Sequence, residues 1–299
     1  MDKELFMENV SCRLCGNDNF NLYLRVSVNE KLFYIVRCVN CDLIFQNPML
    51  SDKERMKLYS KGYFEHGYFD KENQDRLYDN ATFLFEHLST YCDKGRLLDI
   101  GAASGAYVRA AVDKGWEAHG IELSPSAVKF AKDYWKVDLM QGTLEDAHFQ
   151  DNFFDAIILI HTLEHLPHPL KTLKAINRIL KRTGILCVSV PNIASYKAKK
   201  LGEKWWALKP AEHLFFFSPK TLKLLFKRAE FDIIRIDTSI SVVDLEGIQK
   251  IGLPAREGFR TFINRYLAVP KSAIRHALGK ILQGEGIEIL AKPKDLREQ

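Results

Sequence analysis

From about residue 95 onward, short apolar runs alternate with amphipathic stretches. Six runs have the length and apolar content of strands: RLLDI, EAHGIE, VDLM, DAIILI, GILCVSV and FDIIRID. Four segments between them place apolar residues three or four positions apart, as one face of a helix requires: SGAYVRAAVDKG, SPSAVKFAKDYW, PLKTLKAINRILKR and SPKTLKLLFKRA. Strands that alternate with helices predict an α/β fold with a doubly wound, mostly parallel sheet.

The N-terminal region has a different character, set by cysteine spacing. Four of the six cysteines form two C-x-x-C pairs, Cys12 with Cys15 and Cys38 with Cys41. Between the pairs, the sequence alternates loosely, as a β-hairpin does. Four thiolates suit a tetrahedral, structural zinc ion, so we predict a zinc ribbon. Free or redox-active thiols are the alternative, and a ribbon alone does not reveal a function.

The remaining regions complete the predicted organisation. Residues 71–92 are helix-like, and GEGIEILAKPK (284–294) resembles a last strand that follows basic amphipathic helices. We divide the chain into a zinc ribbon at 1–50, a helical lid or linker at 51–94, a cofactor-binding α/β core at 95–243, a helical insertion at 244–283, and the last strand and tail at 284–299.

Composition and charge narrow the class of protein. The 299 residues are 46% hydrophobic and 27% charged, which is typical of a globular chain. No apolar run approaches the roughly 18 residues of a membrane span. The N-terminal MDKELFMENV lacks the features of a signal peptide, so a cytoplasmic location is expected. The net charge of +5 weakly favours an anionic partner.

Two predicted strands end in residues that suit a nucleoside ligand. Asp99, Gly101, Ala103 and Gly105 form a D-x-G-x-A-x-G turn after the first strand. Small residues let the main chain approach a ligand, and the following helix offers free N–H groups. Glu122 follows the second strand, where an acidic residue accepts hydrogen bonds from ribose hydroxyls. A ligand-free turn and a helix-capping carboxylate are the alternatives; together the motifs favour a nucleoside cofactor.

The segment HTLEHLPH follows the fourth strand and concentrates polar chemistry. In a helical turn, His161, Glu164 and His165 share one face. Histidine is the side chain suited to general-base chemistry near neutral pH, and the same groups suit a metal ion. His168 is expected to be a solvated turn residue.

These motifs in this order resemble class I S-adenosylmethionine-dependent methyltransferases: LLDIGAASG, GIELS, GTLEDAHFQDNFFDAI, HTLEHLPHPLKTL and LKRTGILCVSVPN. The resemblance covers about residues 60–240. The ribbon and KWWALKPAEHLFFFS (204–218) are similar to a bacterial branch of that superfamily. The resemblance implies a doubly wound, seven-stranded methyltransferase sheet with an N-terminal zinc ribbon. In this chain it also implies a helical insertion before the last strand.

The resemblance also implies a role for individual residues. The glycine turn with Asp99 would shape the pocket for the methionine end of S-adenosylmethionine, and Ala103 replaces a more common glycine. Glu122 would bind the ribose, Leu144 and Glu145 would flank the adenine, and His161 would lie near the sulfonium. Tyr63 and Tyr68 are candidates to cover the cofactor or to pack against the sheet.

Two similar families suggest a second metal. Ubiquinone-pathway O-methyltransferases and small-RNA 3′-end methyltransferases carry E-x-x-E-H here, associated with a divalent ion. This chain retains Glu164 and His165, has His161 in place of the first glutamate, and offers His213 after the fifth strand. Three interpretations stay open: proton relay by His161, His165 and His213; a divalent metal bound by these histidines and Glu164; or a structural role.

The acceptor side is the least defined part of the sequence. Residues 191–231 are rich in lysine and in aromatic residues, which suits nucleotide-linked or lipid-linked sugars and also RNA, unless the aromatic residues are core. We predict O-methylation of a small molecule, a sugar or glycan/lipid-linked precursor. RNA methylation and sugar C-methylation are the alternatives. The basic helices at 244–282 suggest peripheral membrane contact as one option; the oligomeric state is not indicated.

Overall fold

The computed structural model describes residues 7–28, 30–60, 64, 68–239 and 284–294. The helical insertion expected at 244–283 lies outside the described residues. None of the helices within the described ranges has the length and hydropathy needed to cross a membrane.

The described residues contain thirteen strands. They are Met7–Glu8 (β1), Phe20–Val28 (β2), Lys31–Cys38 (β3), Ile44–Gln46 (β4), Met49–Leu50 (β5), Arg96–Ile100 (β6), Glu117–Glu122 (β7), Met140–Gln141 (β8), Phe154–Ile160 (β9), Leu180–Pro191 (β10), Phe215–Phe216 (β11), Phe231–Ser239 (β12) and Gly286–Pro293 (β13).

The α-helices alternate with the core strands as the sequence predicts. They are Asp52–Ser60 (α1), Lys71–Leu88 (α2), Ala106–Asp113 (α3), Pro125–Phe130 (α4), Pro169–Ile179 (α5), Tyr196–Leu201 (α6) and Pro219–Arg228 (α7). A π-helical turn at Ala131–Trp135 extends α4, and 3₁₀ turns occur at Leu163–His165 and Gly202–Lys204.

The central sheet has seven strands in the order β12-β13-β10-β9-β6-β7-β8. The strands from β10 to β8 are parallel, whereas β13 is antiparallel to both β10 and β12. This confirms the predicted seven-stranded α/β sheet. The structure adds that the last strand, β13, is antiparallel and lies next to β10.

Alternation along each strand places residues on two buried faces. On β6, Leu98 packs in one cluster with α5 and α7, whereas Leu97 packs in another with α2 and α3. The same division occurs on β9, where Ile157 and Ile158 face opposite layers. Because side chains alternate with a period of two, a strand covered on both faces is apolar along its buried length, as AIILI (156–160) is.

One helix boundary differs from the sequence-based expectation. The pattern PLKTLKAINRILKR predicts a helix through residue 182, yet α5 ends at Ile179 and β10 begins at Leu180. Leu180 is fully buried and pairs with Phe154 of β9. Tertiary pairing therefore overrides helix propensity in the last turn.

The N-terminal region forms a ribbon that is continuous with the core. The hairpin of β2 and β3 is present, and β4 and β11 extend it to a four-stranded sheet in the order β11-β4-β3-β2. Buried Cys12, Cys38 and Cys41 share a hydrophobic cluster with Leu163 and Leu214 of the core. The ribbon therefore packs on the sheet rather than standing apart from it.

Gly120→Ala tests the packing between β7 and α3. A Cβ on Gly120 would lie 2.5 Å from Leu139 Cδ2 and 2.8 Å from Val108 Cγ2. We expect overpacking to destabilise the fold by about 1–3 kcal/mol, seen as a lower thermal midpoint. Replacement of the exposed Val112 on the outer face of α3 by Ala is the control and should leave the midpoint unchanged. An unchanged midpoint for Gly120→Ala would refute this packing.

Candidate active site

The carboxyl ends of β6 and β9 lie side by side, since the two strands are parallel neighbours. The strand order changes direction at this point. From β6 the chain continues to β7 and β8 on one side, whereas β9 and β10 lie on the other side of β6. Ligands of open α/β sheets bind at such a reversal. Gly101 after β6 touches Thr162 after β9: a Cβ on Gly101 would lie 2.6 Å from Thr162 Oγ1. The two sets of predicted site residues therefore border one crevice.

The turn after β6 has a backbone that favours small residues. Gly101, Ala103 and Gly105 have φ values of 77°, 48° and 80°. A Cβ on Gly105 would lie 2.8 Å from Ala131 Cβ, so a larger residue would not fit there. The glycines therefore serve the turn and its packing, and the alanine adopts a left-handed conformation at its centre.

Glu122 ties the turn to the end of β7. Its Oε2 accepts from the Ala103 N–H at 2.9 Å, and its Oε1 accepts from the Ser124 N–H at 2.7 Å. The cap of α4 is Ser124, whose side chain accepts from the Ala127 N–H, so Glu122 is not the helix cap. The carboxylate therefore lies at the carboxyl edge of the sheet, and its ribose-binding role stays a prediction.

Two buried carboxyl groups lie near the carboxyl ends of β6 and β7. Asp99 and Glu122 are 3% and 5% exposed. Burial and the neighbouring Glu122 charge raise the pKa of Asp99 to about 8. Burial also raises the pKa of Glu122, although hydrogen bonds from main-chain N–H groups lower it in part. A cation beside these carboxyls would favour their charged forms, and the sulfonium and ammonium groups of S-adenosylmethionine are such cations.

Tyr68 lies over the same pocket. Burial raises the pKa of its phenol, the charges of Glu122 and Asp99 raise it further, and a hydrogen bond with Ser104 opposes them. The Tyr68 carbonyl accepts from the side chains of Asn73 and Gln74, which anchors it to the start of α2. Tyr68 therefore lies near the two acids, and its role as a cover of the cofactor stays a prediction. Tyr63 lies outside the described residues.

The residues predicted to flank the adenine lie further along the edge. Leu144 packs against the main core, and Glu145 is exposed and 3.8 Å from the ammonium of Lys171. Their adenine-binding role stays a prediction.

Glu164, His165 and His213 come together after β9. Each offers one ligand atom, and these atoms lie within 4.8 Å of one another. Glu164 is 1% exposed, and neither of its carboxylate oxygens has a hydrogen-bond donor. The 3₁₀ turn at Leu163–His165 supplies the first two residues, and the loop before β11 supplies the third. A buried, undonated carboxylate between two imidazoles requires a positive partner.

Hydrogen bonds to main-chain carbonyls orient both imidazole rings. His165 Nδ1 lies 3.0 Å from the Glu212 carbonyl, and His213 Nδ1 lies 2.7 Å from the Ala207 carbonyl. Since a carbonyl only accepts, each Nδ1 carries the proton. Burial lowers the pKa of His165 and lowers that of His213 to about 3. The neutral form of each ring is therefore favoured. Burial raises the pKa of Glu164, but its interaction with His161 and then with the other histidines outweighs burial and lowers it.

His161 stands at the mouth of this cluster rather than inside it. Its side chain is 46% exposed, and its Nδ1 lies 3.6 Å from Glu164 Oε1. Its φ of 52° is a left-handed conformation that is uncommon for histidine. The structure thus separates His161 from the three clustered groups. His168 is half-buried against Arg13, not freely solvated as the sequence suggested.

The aromatic segment divides into core and surface. Trp205 and the phenylalanines Phe215, Phe216 and Phe217 are buried, as core packing requires. Trp206 is 43% exposed, and its ring centroid lies 6.3 Å from that of His161. Thr162, which contacts Gly101, is the residue of the crevice that sequence reasoning missed, because spacing alone does not show which face a loop residue occupies.

The four ribbon cysteines form the second candidate metal site. Their sulfur atoms lie within 4.8 Å of one another, with 3.5 Å separating Cys12 from Cys41 and Cys15 from Cys38. Burial raises the pKa of Cys12 to about 11. Four convergent, mostly buried thiols fit a structural zinc ion, which would hold them as thiolates.

A family model described as a methyltransferase domain matches residues 68–236, more than half of the chain. The chain belongs to this methyltransferase family. Its activity is transfer of a methyl group from S-adenosylmethionine. The region matched contains both strand ends that form the crevice.

Curated relatives of this methyltransferase are distant. An uncharacterized protein of Methanocaldococcus jannaschii is 27% identical over 198 residues, which span 64% of this chain and 92% of the relative. The ubiquinone biosynthesis O-methyltransferase of Xanthomonas campestris is 30% identical over 150 residues, 46% of this chain and 63% of the relative. The chain thus spans less than two thirds of that enzyme's length.

Solved structures share the fold. An S-adenosylmethionine-dependent methyltransferase from Archaeoglobus fulgidus has a TM-score of 0.53 at 19% identity and covers 76% of this chain and 100% of its own. A protein from Pyrococcus horikoshii has a TM-score of 0.51 at 15% identity, with coverage of 79% and 95%. These likenesses support the methyltransferase sheet.

Glu122→Ala tests the cofactor pocket. Loss of charged hydrogen bonds is expected to weaken S-adenosylmethionine binding by about 10- to 100-fold, measured by calorimetry. Glu117→Ala, at the exposed opposite end of β7, is the matched control and should bind normally. Equal affinity of the two variants would remove the ribose assignment from Glu122.

Proposed function

We propose that this methyltransferase methylates a hydroxyl oxygen of a small acceptor, and that Glu164, His165 and His213 hold a divalent metal ion beside the acceptor. The observation that carries the proposal is the buried cluster itself, one undonated carboxylate and two neutral imidazoles next to the cofactor crevice. A bound cation would neutralise the cluster's charge and acidify a hydroxyl that it contacts.

The donor set favours particular metals. Two imidazoles and one carboxylate suit zinc, manganese, iron or cobalt better than magnesium, which prefers oxygen ligands. The carbonyls of Ala207 and Glu212 orient the rings, as outer partners of metal-binding histidines do. Three protein ligands leave positions for an acceptor oxygen.

The reaction needs a proton acceptor outside the cluster, and His161 suits this role. The acceptor oxygen would attack the methyl carbon in line with the sulfur–carbon bond, whose electrons remain on sulfur as that bond breaks. The hydroxyl proton would pass to exposed His161, whose ring Glu164 orients from 3.6 Å. The rings of His165, which is partly buried, and His213, which is buried, are less suited to carry a proton because burial disfavours their charged forms.

The surroundings of His161 support a sugar-containing acceptor. Exposed Trp206 presents an indole next to the His161 ring, and aromatic faces stack well on sugar rings. Helix α6 is lysine-rich, with the Lys200 ammonium 5.7 Å from the Tyr196 ring centroid, and it supplies positive charge for a phosphate. A nucleotide-linked or lipid-linked sugar joins both features. The Xanthomonas relative named for O-methylation supports oxygen as the acceptor atom.

Methyl-labelled S-adenosylmethionine identifies the acceptor class. Purified protein and a cell extract of the source organism would be incubated with the label and fractionated into lipid, glycan, small-molecule, RNA and protein pools. Enzyme-dependent, alkali-stable label in the sugar-nucleotide or glycan pool is expected. Label in RNA, or label on a sugar carbon by mass spectrometry, would replace the proposal by the corresponding alternative.

Glu164→Gln tests the metal site. We expect Co²⁺ affinity at this site to fall by at least about tenfold, measured by calorimetry on protein with a zinc-loaded ribbon. The thermal midpoint of the metal-free protein, measured alongside, checks that the variant folds. The control Glu145→Gln removes an exposed charge and should leave both quantities unchanged. Undiminished Co²⁺ binding in Glu164→Gln would exclude this carboxylate as a ligand.

His161→Asn tests the proton acceptor. Turnover into the labelled pool should fall by about 10²- to 10⁴-fold while cofactor affinity stays within error. His148→Asn is the matched control, since His148 is also exposed and has a φ of 46°. Asparagine tolerates this conformation, so backbone strain is similar in both variants. Wild-type turnover by His161→Asn would make His161 structural.

A further inference from the structure

The zinc ribbon pairs directly with the loop that supplies His213. Strand β4 of the ribbon is antiparallel to β11, with Phe45 opposite Phe215 and Ile44 opposite Phe216. Strand β4 precedes the methyltransferase core in the sequence and β11 follows β10, so the pairing joins two distant segments of the chain. His213 lies two residues before β11, and its position depends on where β11 is held.

A ladder of main-chain hydrogen bonds continues this pairing to Glu164. The Gln46 N–H donates to the Leu214 carbonyl at 2.9 Å, and the Leu214 N–H donates to the Glu164 carbonyl at 2.9 Å. Leu214 is therefore held by the ribbon on one side and by the HTLEH turn on the other. His213 is the residue before Leu214, and the Glu164 carbonyl accepts the last hydrogen bond of the ladder. The register of the ladder therefore sets the separation between His213 and Glu164.

On the ribbon side, the ladder begins at the zinc site. Cys38 is the last residue of β3, and its N–H donates to the Leu43 carbonyl at 2.9 Å. Cys41 lies in the same turn, just before β4 starts at Ile44. Metal binding by these two cysteines would close the turn that directs β4. The Phe45 ring, fully buried, then stacks against Phe215 with centroids 6.2 Å apart.

Other contacts fix the ribbon to the core. The Arg228 guanidinium donates to the Leu14 carbonyl between the first pair of cysteines at 2.5 Å. Lys220 forms an ion pair with Asp42, in the turn beside Cys41. Both basic residues belong to α7, near its two ends. The two zinc-binding turns are thus each tied to the methyltransferase core.

We infer that the zinc ribbon is a positioning element of the acceptor site: zinc at the four cysteines holds β4 against β11, and β11 holds His213 next to Glu164. Its residues act through His213, without touching the cofactor. The inference rests on the proposed metal function only for its cobalt measurement; the backbone coupling is independent of it. Because linkage is reciprocal, occupancy of either metal site would favour occupancy of the other.

Two matched substitutions in the ribbon test the coupling. Phe45→Leu weakens the contact with Phe215, whereas Phe33→Leu changes an equally buried phenylalanine of β3 that pairs with Val26 of the neighbouring strand β2. Neither change alters a cysteine, Glu164, His165 or His213. Hydrogen exchange, read by mass spectrometry over residues 205–217, reports the ladder directly. Calorimetry reports cofactor and Co²⁺ affinity of the full-length, zinc-loaded variants.

Phe45→Leu should raise exchange over 205–217 and lower Co²⁺ affinity at the Glu164 site, each by at least about tenfold, with cofactor affinity within about twofold. Phe33→Leu should leave all three near wild type. Chelation of zinc from the wild-type ribbon should raise the same exchange. Equal exchange in the two variants, or exchange insensitive to zinc, would overturn the inference. Absence of Co²⁺ binding by the wild type would refute the proposed metal function, while the exchange results would still decide the role of the ribbon.

Discussion

The parallel pairing of β6 with β9 is the constraint on which the candidate site depends. It places the glycine turn after one strand in contact with Thr162 after the other, so that the cofactor crevice and the HTLEH turn share a wall. The contact leaves no room for a side chain at Gly101. Everything that follows, from the carboxylate of Glu122 to the imidazole of His161, is arranged around this junction at the carboxyl edge of the sheet.

Electrostatics at that edge are dominated by buried acids. Asp99, Glu122 and Glu164 are each at least 95% buried. Only Glu122 has its charge satisfied by main-chain donors within the described residues. Burial raises the pKa of Asp99, whereas the neighbouring histidines lower that of Glu164. Such an arrangement persists where ligands supply the missing charge, and a sulfonium-bearing cofactor at one acid and a divalent ion at the other would do so.

The sequence predicted the parts of this architecture that local patterns encode. Apolar periodicity located the core strands, because strands buried on both faces have few polar residues, and the cysteine spacing located the ribbon because four thiols in two short turns have few other uses. It did not predict that α5 ends at Ile179, since the pairing of Leu180 with Phe154 is a long-range effect. Neither could it separate buried Trp205 from exposed Trp206, or show that Leu214 links the ribbon to Glu164. Those relations depend on how distant segments pack.

The position of β13 between β10 and β12 has a consequence for biosynthesis. In the described sheet, β12 pairs with β13 alone, and β13 is encoded well after it. While the chain emerges from the ribosome, β12 therefore has no partner, and one edge of β10 stays open until residues 286–293 appear. Open strand edges are sites of misassociation. The nascent methyltransferase would thus pass through a stage in which strands β6 to β10 are complete while β13 is still missing. At that stage the open strand edges are exposed to misassociation.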